Sequence, residues 1–302
     1  KGGKVMGLDF IYILKAIVIA VVEGLTEFVP VSSTGHMILV GSLIGFRTGA
    51  VGTEEFAKMF EVVIQLGAIL AVVVLYWNKL WGAIVDFFTF IFSGGKKGEK
   101  GFKFGINIII ASIPALIVGL TLYDKIKSLF KPSAVVVGFI VGGILLIVIE
   151  NRFRSRVSKR SGKMPTNDVF DITPIQAIKV GLFQVLAMWP GMSRSASTIM
   201  GGWIAGLSTP VAAEFSFFLA VPAMVGSSAM DLFNFDYSIM NSTFTVSLIL
   251  GFIVAFIVSL IVMDMFVSYL KKKPMRIFAI YRVVAGIVLL ALSLAGIVTL
   301  TI

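Results

Sequence analysis

The sequence predicts an all-α polytopic membrane protein made of two inverted-topology repeats, each a re-entrant helical hairpin plus three transmembrane helices. Three observations lead there. The 302-residue chain is 58% hydrophobic and only 14% charged, with a mean hydropathy of +1.00, a balance outside the range of ordinary soluble domains. Its apolar runs are continuous rather than alternating, unlike the strands of a membrane β-barrel. A basic link from Asn151 to Lys163 carries Arg152, Arg154, Arg156, Lys159, Arg160 and Lys163 without one acid, and divides the chain into halves of similar layout.

Apolar segments fall at 10–29, 36–46, 59–77 (continuing at 81–92), 104–122 and 134–150, then at 175–189, 195–207, 214–230, 244–270 and 277–299. A helix needs about 20 residues to cross the hydrocarbon, so 36–46, 175–189 and 195–207 are too short. Pairing the first two segments of each half into a hairpin that enters and leaves by one face resolves this. Hairpin 10–46 and three spans then form repeat one over 8–150, and hairpin 175–207 and three spans form repeat two over 175–302. Residues 151–174 join them as a cytoplasmic linker.

The halves also share a pattern. "AIVIAVVEGLTEFVPVSSTG" begins the first and "AIKVGLFQVLAMWPGMSRSAS" the second. In each, a short helix ends at a proline, Pro30 or Pro190, with Ser33 or Ser193 three residues on. "FEVVIQLGAILAV" and "AEFSFFLAVPA" hold matching places downstream. Three spans per repeat is an odd number, so the repeats must be inverted, an architecture common among transporters.

Loop charges orient the chain. Loops 93–103 (Lys96, Lys97, Lys100 and Lys103 against Glu99), 151–163 and 271–276 (Lys271, Lys272, Lys273, Arg276) fall inside; loop 231–243, with Asp231 and Asp236 and no base, falls outside. Lys125, Lys127 and Lys131 in loop 123–133 run against this rule. Hairpin one then dips from outside and hairpin two from inside, so their tips, 30–36 and 190–198, could meet in the membrane around a cavity. Irregular backbone at that depth is tolerated only where it is buried in protein or lines such a cavity. The formal charge of +10 sits in loops, which favours a surface against anionic lipid and no nucleic-acid partner. Without Cys there is no disulfide, thiolate chemistry or cysteine-ligated metal, and one His excludes a His-rich metal site. No small-residue cleavage site follows the first apolar run, so no cleaved signal peptide is expected; the Lys1 start is compatible with a trimmed or tagged terminus.

The polar residues of the hairpins carry the chemistry. Glu23 and Glu27 are four apart and share a helix face. Each carboxylate in lipid costs on the order of 3 kcal/mol, so a pair there is a functional site by default. Two such charges share a proton or need a cation. Pro30 ends the helix, and Ser32, Ser33 and Thr34 suit the N-cap of the next one. His36, three residues past Ser33, can share its face. Ser33, His36 and the two acids supply a nucleophile, a base and an orienting group. In "PGMSRSAST" (190–198), Ser193, Arg194, Ser195, Ser197 and Thr198 open a helix whose free N–H groups favour phosphate. Arg194 adds a planar fork and is the only base between Lys179 and Lys271. Phosphate-ester or anhydride cleavage fits this set better than acyl transfer.

"EGLTEFVPVSSTGH" (23–36) and "PGMSRSAST" resemble the two signatures of the undecaprenyl-diphosphatase family, also called bacitracin-resistance proteins. The likeness covers nearly the whole chain, with Ala196 standing where the family usually has glycine. It implies a bacterial plasma-membrane hydrolase that releases phosphate from undecaprenyl diphosphate, leaving undecaprenyl phosphate for the cell-wall lipid carrier and conferring bacitracin tolerance. It also implies a divalent cation, Mg²⁺ or Ca²⁺, at Glu23 and Glu27, and a site opening outward. Glu23 and Glu27 match the family's acidic pair, Ser33 its nucleophile and His36 its essential histidine. Ser193, Arg194 and Thr198 match its phosphate signature, in which Ser195 also falls. The residues alone leave the nucleophile open between Ser33, His36 and water, and the base between Glu27 and His36. An inverted-repeat transporter or flippase for an anionic or lipid-phosphate substrate is the alternative. Small-residue stretches such as "GWIAG" (202–206) could pack helices within a protomer or in a homodimer.

Overall fold

The computed structural model describes residues 8–49, 53–129, 131–158 and 165–295, and every named element among them is helical. In chain order they are α1 (Phe10–Thr26), α2 (Ser33–Ile44), α3 (Thr53–Leu75), α4 (Trp77–Phe92), α5 (Glu99–Thr121), α6 (Tyr123–Ser128) and α7 (Pro132–Ser158). There follow α8 (Pro174–Gln184), α9 (Arg194–Ala205), α10 (Thr209–Phe233), α11 (Ser242–Leu270) and α12 (Arg276–Leu294). Six of these, α3, α5, α7, α10, α11 and α12, are long and apolar enough to cross a membrane.

Two boundaries differ from the sequence reading. The 81–92 stretch is no continuation of 59–77: the chain leaves helical geometry at Tyr76 (φ −109°, ψ 21°), and α4 is a separate, largely exposed helix. The linker does not begin at 151, because α7 runs on through Ser158. Its arginines are good helix formers, and Arg154 pairs with Glu150 one turn back at 3.0 Å, so nothing stops the helix where the apolar run stops. Lys159, Arg160 and Lys163 of the link, residues 296–299 of the last segment and Lys1 lie outside the described residues.

Each short pair of helices is closed on itself. Lys15 Nζ near the start of α1 donates to Gly45 O at the end of α2 (3.2 Å), and Gln176 Nε2 on α8 donates to Ala205 O at the end of α9 (3.1 Å). Gly45 and Gly206 cap α2 and α9 at φ 62° and 86°, where an L side chain would be strained. The open end of the α1–α2 pair sits by the start of α11, since Asp9 N donates to Thr243 Oγ1 (3.0 Å). The open end of α8–α9 sits by α5, where Asn107 Nδ2 donates to Ile172 O (2.6 Å).

Around these pairs α1 packs on α11, α8 on α5, α3 on α10 and α7 on α12. Lipid is as apolar as the helices, so close backbone approach rather than hydrophobic burial drives such packing. Glycines permit it: a Cβ at Gly181 of α8 would lie 2.3 Å from the Ala111 carbonyl of α5, and one at Gly67 of α3 would lie 2.7 Å from the Phe252 carbonyl of α11. Gly181→Leu is therefore expected to lower stability by about 1–3 kcal/mol through overpacking. Gly82→Ala, with nothing within 4 Å of the added methyl, is expected to be neutral or to stabilise by up to about 1 kcal/mol. Thermal unfolding of the detergent-purified variants checks both.

Candidate active site

The site is built where α1 and α8 stop and α2 and α9 start. Regular α-helix stops at Thr26 and Gln184, ahead of Pro30 and Pro190 rather than at them, and the chain re-enters helix through Ser32 (φ 76°) and Ser193 (φ 70°), the non-glycine residues of positive φ among the described residues. Such backbone costs on the order of 1–3 kcal/mol and persists only when its surroundings hold it. Each serine is an N-cap: Ser32 Oγ accepts from Gly35 N (3.3 Å) and Ser193 Oγ from Ala196 N (3.2 Å). Counting from the prolines pairs Ser193 with Ser33; the structure pairs it with Ser32, because the first loop is one residue shorter. Ser33 and Arg194 are thus the equivalent residues, each the first of its helix.

These two side chains meet on one carboxylate. Ser33 Oγ donates to Glu27 Oε2 (2.5 Å), and Arg194 Nη2 donates to Glu27 Oε1 (2.6 Å). The guanidinium is steadied by Nη1 donating to Ser216 O (2.8 Å) and lies 5.9 Å from the centre of the Phe28 ring. Beside them is a cavity of about 200 Å³ whose wall includes Glu27, Ser33, Gln65, Ser193, Arg194 and Ser227. A hydroxyl hydrogen-bonded to a carboxylate, with a guanidinium alongside, can be deprotonated for attack on an anionic centre.

The remaining sequence candidates do not line the cavity. Glu23, one turn before Glu27, is fully buried, and neither of its oxygens has a hydrogen-bond partner. Ser33 is close enough to interact with it, but the single hydroxyl proton points at Glu27. Ser195 Oγ donates to Val29 O across the two loops (3.1 Å), and Thr198 shares a 2.7 Å hydrogen bond with Ser216, so both brace the parts that hold Arg194. His36 turns toward α12. Its Nδ1 lies 2.7 Å from Ser32 O, which can only accept, so Nδ1 carries a proton. Its Nε2 lies 2.7 Å from the Tyr281 hydroxyl, and the two rings stack. Both nitrogens are engaged away from Ser33. The lone histidine holds the Ser32 turn.

Arg282 escaped the sequence reading. It is fully buried, and its Nη2 donates to Gly138 O (3.0 Å), Gly191 O (2.8 Å) and Met192 O (2.9 Å), while Nη1 reaches Pro30 O (3.4 Å). A single arginine inside the apolar segment 277–299 was the available signal, the same one that marked Arg194. Gln65 and Ser216 gave none, being ordinary polar residues of spanning helices.

Fold and site together define a polytopic helical membrane protein with a polar site where two interrupted helices meet. The family described as "Bacitracin resistance protein BacA" matches residues 16–288, and this chain belongs to it. Among similar proteins, "Undecaprenyl-diphosphatase 2" of Clostridioides difficile (strain 630) is 62% identical, over 97% of this chain and 99% of that protein. "Undecaprenyl-diphosphatase" of Clostridium perfringens (strain 13 / Type A) is also 62% identical, over 97% and 100%, and that of Clostridium tetani (strain Massachusetts / E88) is 54% identical, over 95% and 99%.

Arg282→Met removes the donor shared by both loops and leaves buried carbonyls unsatisfied. It is expected to cost about 3 kcal/mol or more of stability. Arg282→Lys, a point charge that cannot fan across the same carbonyls, is expected to recover part of it. Melting temperatures of the two variants measure the difference.

Proposed function

We propose that the chain is an integral membrane hydrolase that removes the terminal phosphate of undecaprenyl diphosphate, yielding undecaprenyl phosphate for reuse as the cell-wall lipid carrier and so conferring bacitracin resistance. The observation that carries this reading is the Ser33–Glu27–Arg194 chain of hydrogen bonds on the cavity wall, in a chain whose relatives at 62% identity are named undecaprenyl-diphosphatases. Those names favour hydrolysis over transport.

In the reaction, Ser33 Oγ attacks the terminal phosphorus while Glu27 takes its proton. The bond from phosphorus to the bridging oxygen breaks, undecaprenyl phosphate leaves, and water then hydrolyses the phosphoseryl enzyme. Arg194 neutralises charge on the transferred phosphoryl group with the N–H groups that Glu27 and Ser216 leave free. His36 and Ser193 are positioning residues for the two turns. Glu23 and Glu27 are the carboxylates that would hold a hard divalent cation: they lie one turn apart, and the deeper one has both oxygens unpartnered, while Glu27 would share its oxygens with Ser33 and Arg194. No group of three or more ligating side chains stands ready among the described residues. When bound, Mg²⁺ or Ca²⁺ would offset phosphate charge.

The fold reading follows the same lines. Each closed pair, α1–α2 and α8–α9, is a re-entrant hairpin, and each half adds three spans: α3, α5 and α7, then α10, α11 and α12. The paired contacts of α1 with α11 and α8 with α5, and the matching strained caps at Ser32 and Ser193, support an inverted repeat over 8–150 and 175–302. The cavity reaches Ala223, Met224 and Ser227 near the end of α10, on the way to the base-free loop at 231–243. By the charge rule it opens outward from the plasma membrane.

Ser33→Ala is expected to lower phosphate release from undecaprenyl diphosphate in detergent at least about a thousandfold, and Arg194→Ala about a hundred- to a thousandfold. Turnover near wild type in either folded variant would contradict the reading. Rapid-quench trapping with terminally labelled substrate is expected to put label on Ser33; label on His36, or none, would reassign the nucleophile. A chelator is expected to suppress release, and added Mg²⁺ or Ca²⁺ to restore it.

A further inference from the structure

The cavity beside Ser33 is walled by two sets of residues. One set belongs to the interrupted loops and the helix starts, and the proposed reaction uses Glu27, Ser33 and Arg194 from it. The other belongs to spanning helices: Gln65 of α3, and Ala223, Met224 and Ser227 of α10. α3 and α10 pack together, so this second set lines one side of the cavity, on the way to its mouth. The side chains of Ala223 and Met224 offer no donor, and the Ser227 hydroxyl donates to Met224 O (3.2 Å). Gln65 is different. It sits near the middle of α3, and its carboxamide makes no hydrogen bond with another described residue. An unpaired amide at that depth is costly. An acceptor lies one turn back on the same face, Glu61, but Arg47 holds it. Arg47 Nε donates to Oε1 (3.2 Å), and Nη2 donates to Oε1 and Oε2 (2.8 Å each). The Gln65 amide is left to the cavity.

We infer that Gln65 binds the second, prenyl-linked phosphate of the substrate, its Nε2–H groups donating to that phosphate's oxygens while Ser33 and Arg194 take the terminal one. The inference rests on the hydrolase reading above and adds which residue reads the leaving group. Attack requires the terminal phosphorus at Ser33 Oγ. The second phosphorus is one bridging oxygen away, on the side from which the prenyl chain extends, and so lies toward the mouth between α3 and α10. Among the described residues of that wall, the Gln65 amide is the side-chain donor with its hydrogens free. The leaving phosphate gains negative charge as the bridging bond breaks, and N–H groups aimed at it stabilise that charge. A neutral amide holds an anion less tightly than a guanidinium does, which lets the monophosphate product go. A substrate with one phosphate lacks this contact, so Gln65 selects diphosphates over monophosphates.

Calorimetric titration of the detergent-purified full chain with two probes tests this. Farnesyl methylenediphosphonate carries both phosphorus centres and resists cleavage between them; inorganic phosphate fills the terminal position alone. Gln65→Leu keeps much of the side-chain volume and removes the amide. Its affinity for the diphosphonate is expected to fall about tenfold, while its affinity for inorganic phosphate stays within about twofold of wild type. Equal loss for both probes overturns the assignment, because Gln65 would then shape the terminal position or the fold. No loss for either probe overturns it too. Gln65→Glu keeps the shape and sets a carboxylate against the second phosphate. It is expected to weaken diphosphonate binding further than Gln65→Leu does, again with inorganic phosphate little changed; diphosphonate binding as tight as wild type in this variant overturns the proposal. Phosphate release from farnesyl diphosphate by the wild-type chain, followed in parallel, tests the hydrolase reading separately.

Discussion

Arg282 reaches from α12 into the centre of the protein, where its guanidinium donates to carbonyls of α7 and of both interrupted loops. The site depends on that fan of hydrogen bonds. Backbone that leaves helical geometry inside a membrane exposes carbonyls with no water to satisfy them. Here one buried cation satisfies carbonyls of Pro30, Gly191 and Met192 together, and in doing so fixes one loop against the other. The strained turns at Ser32 and Ser193 are tolerable because the segments before them are held this way.

With the loops fixed, Glu27 does two things at once. Its carboxylate accepts the Ser33 hydrogen bond on one oxygen and pairs with Arg194 on the other. A buried guanidinium without an anion would be costly, and Glu27 serves as that anion. An arriving phosphate offers Arg194 a second anionic partner. The same carboxylate holds the Ser33 hydroxyl and the Arg194 guanidinium, so the two groups to which the proposed reaction gives attack and anion binding are tied through one side chain.

The loop from Val185 to Met192 separates two chemistries. On one side are Ser33, Arg194 and Ser193; on the other are Leu186, Trp189 and Met192 beside α7. Glycines at 138 and 191 let the backbone itself be the partition between a polar pocket and an apolar groove.

The sequence by itself determined the membrane class, the helical segments and the two polar motifs, because hydrocarbon demands long apolar runs and makes every buried acid, base or proline conspicuous. Glu27, Ser33, Ser193 and Arg194 were legible for that reason, and the cavity wall carries them. The extent of α7 was not, since the apolar pattern stops where the helix goes on. Tertiary structure alone decided direction: which way each side chain points depends on neighbours far along the chain. It turned His36 toward Tyr281, set Ser32 rather than Ser33 opposite Ser193, and brought Arg282, 252 residues beyond Pro30, onto that residue's carbonyl. Spacing along a helix fixes a face only when the neighbours leave it free.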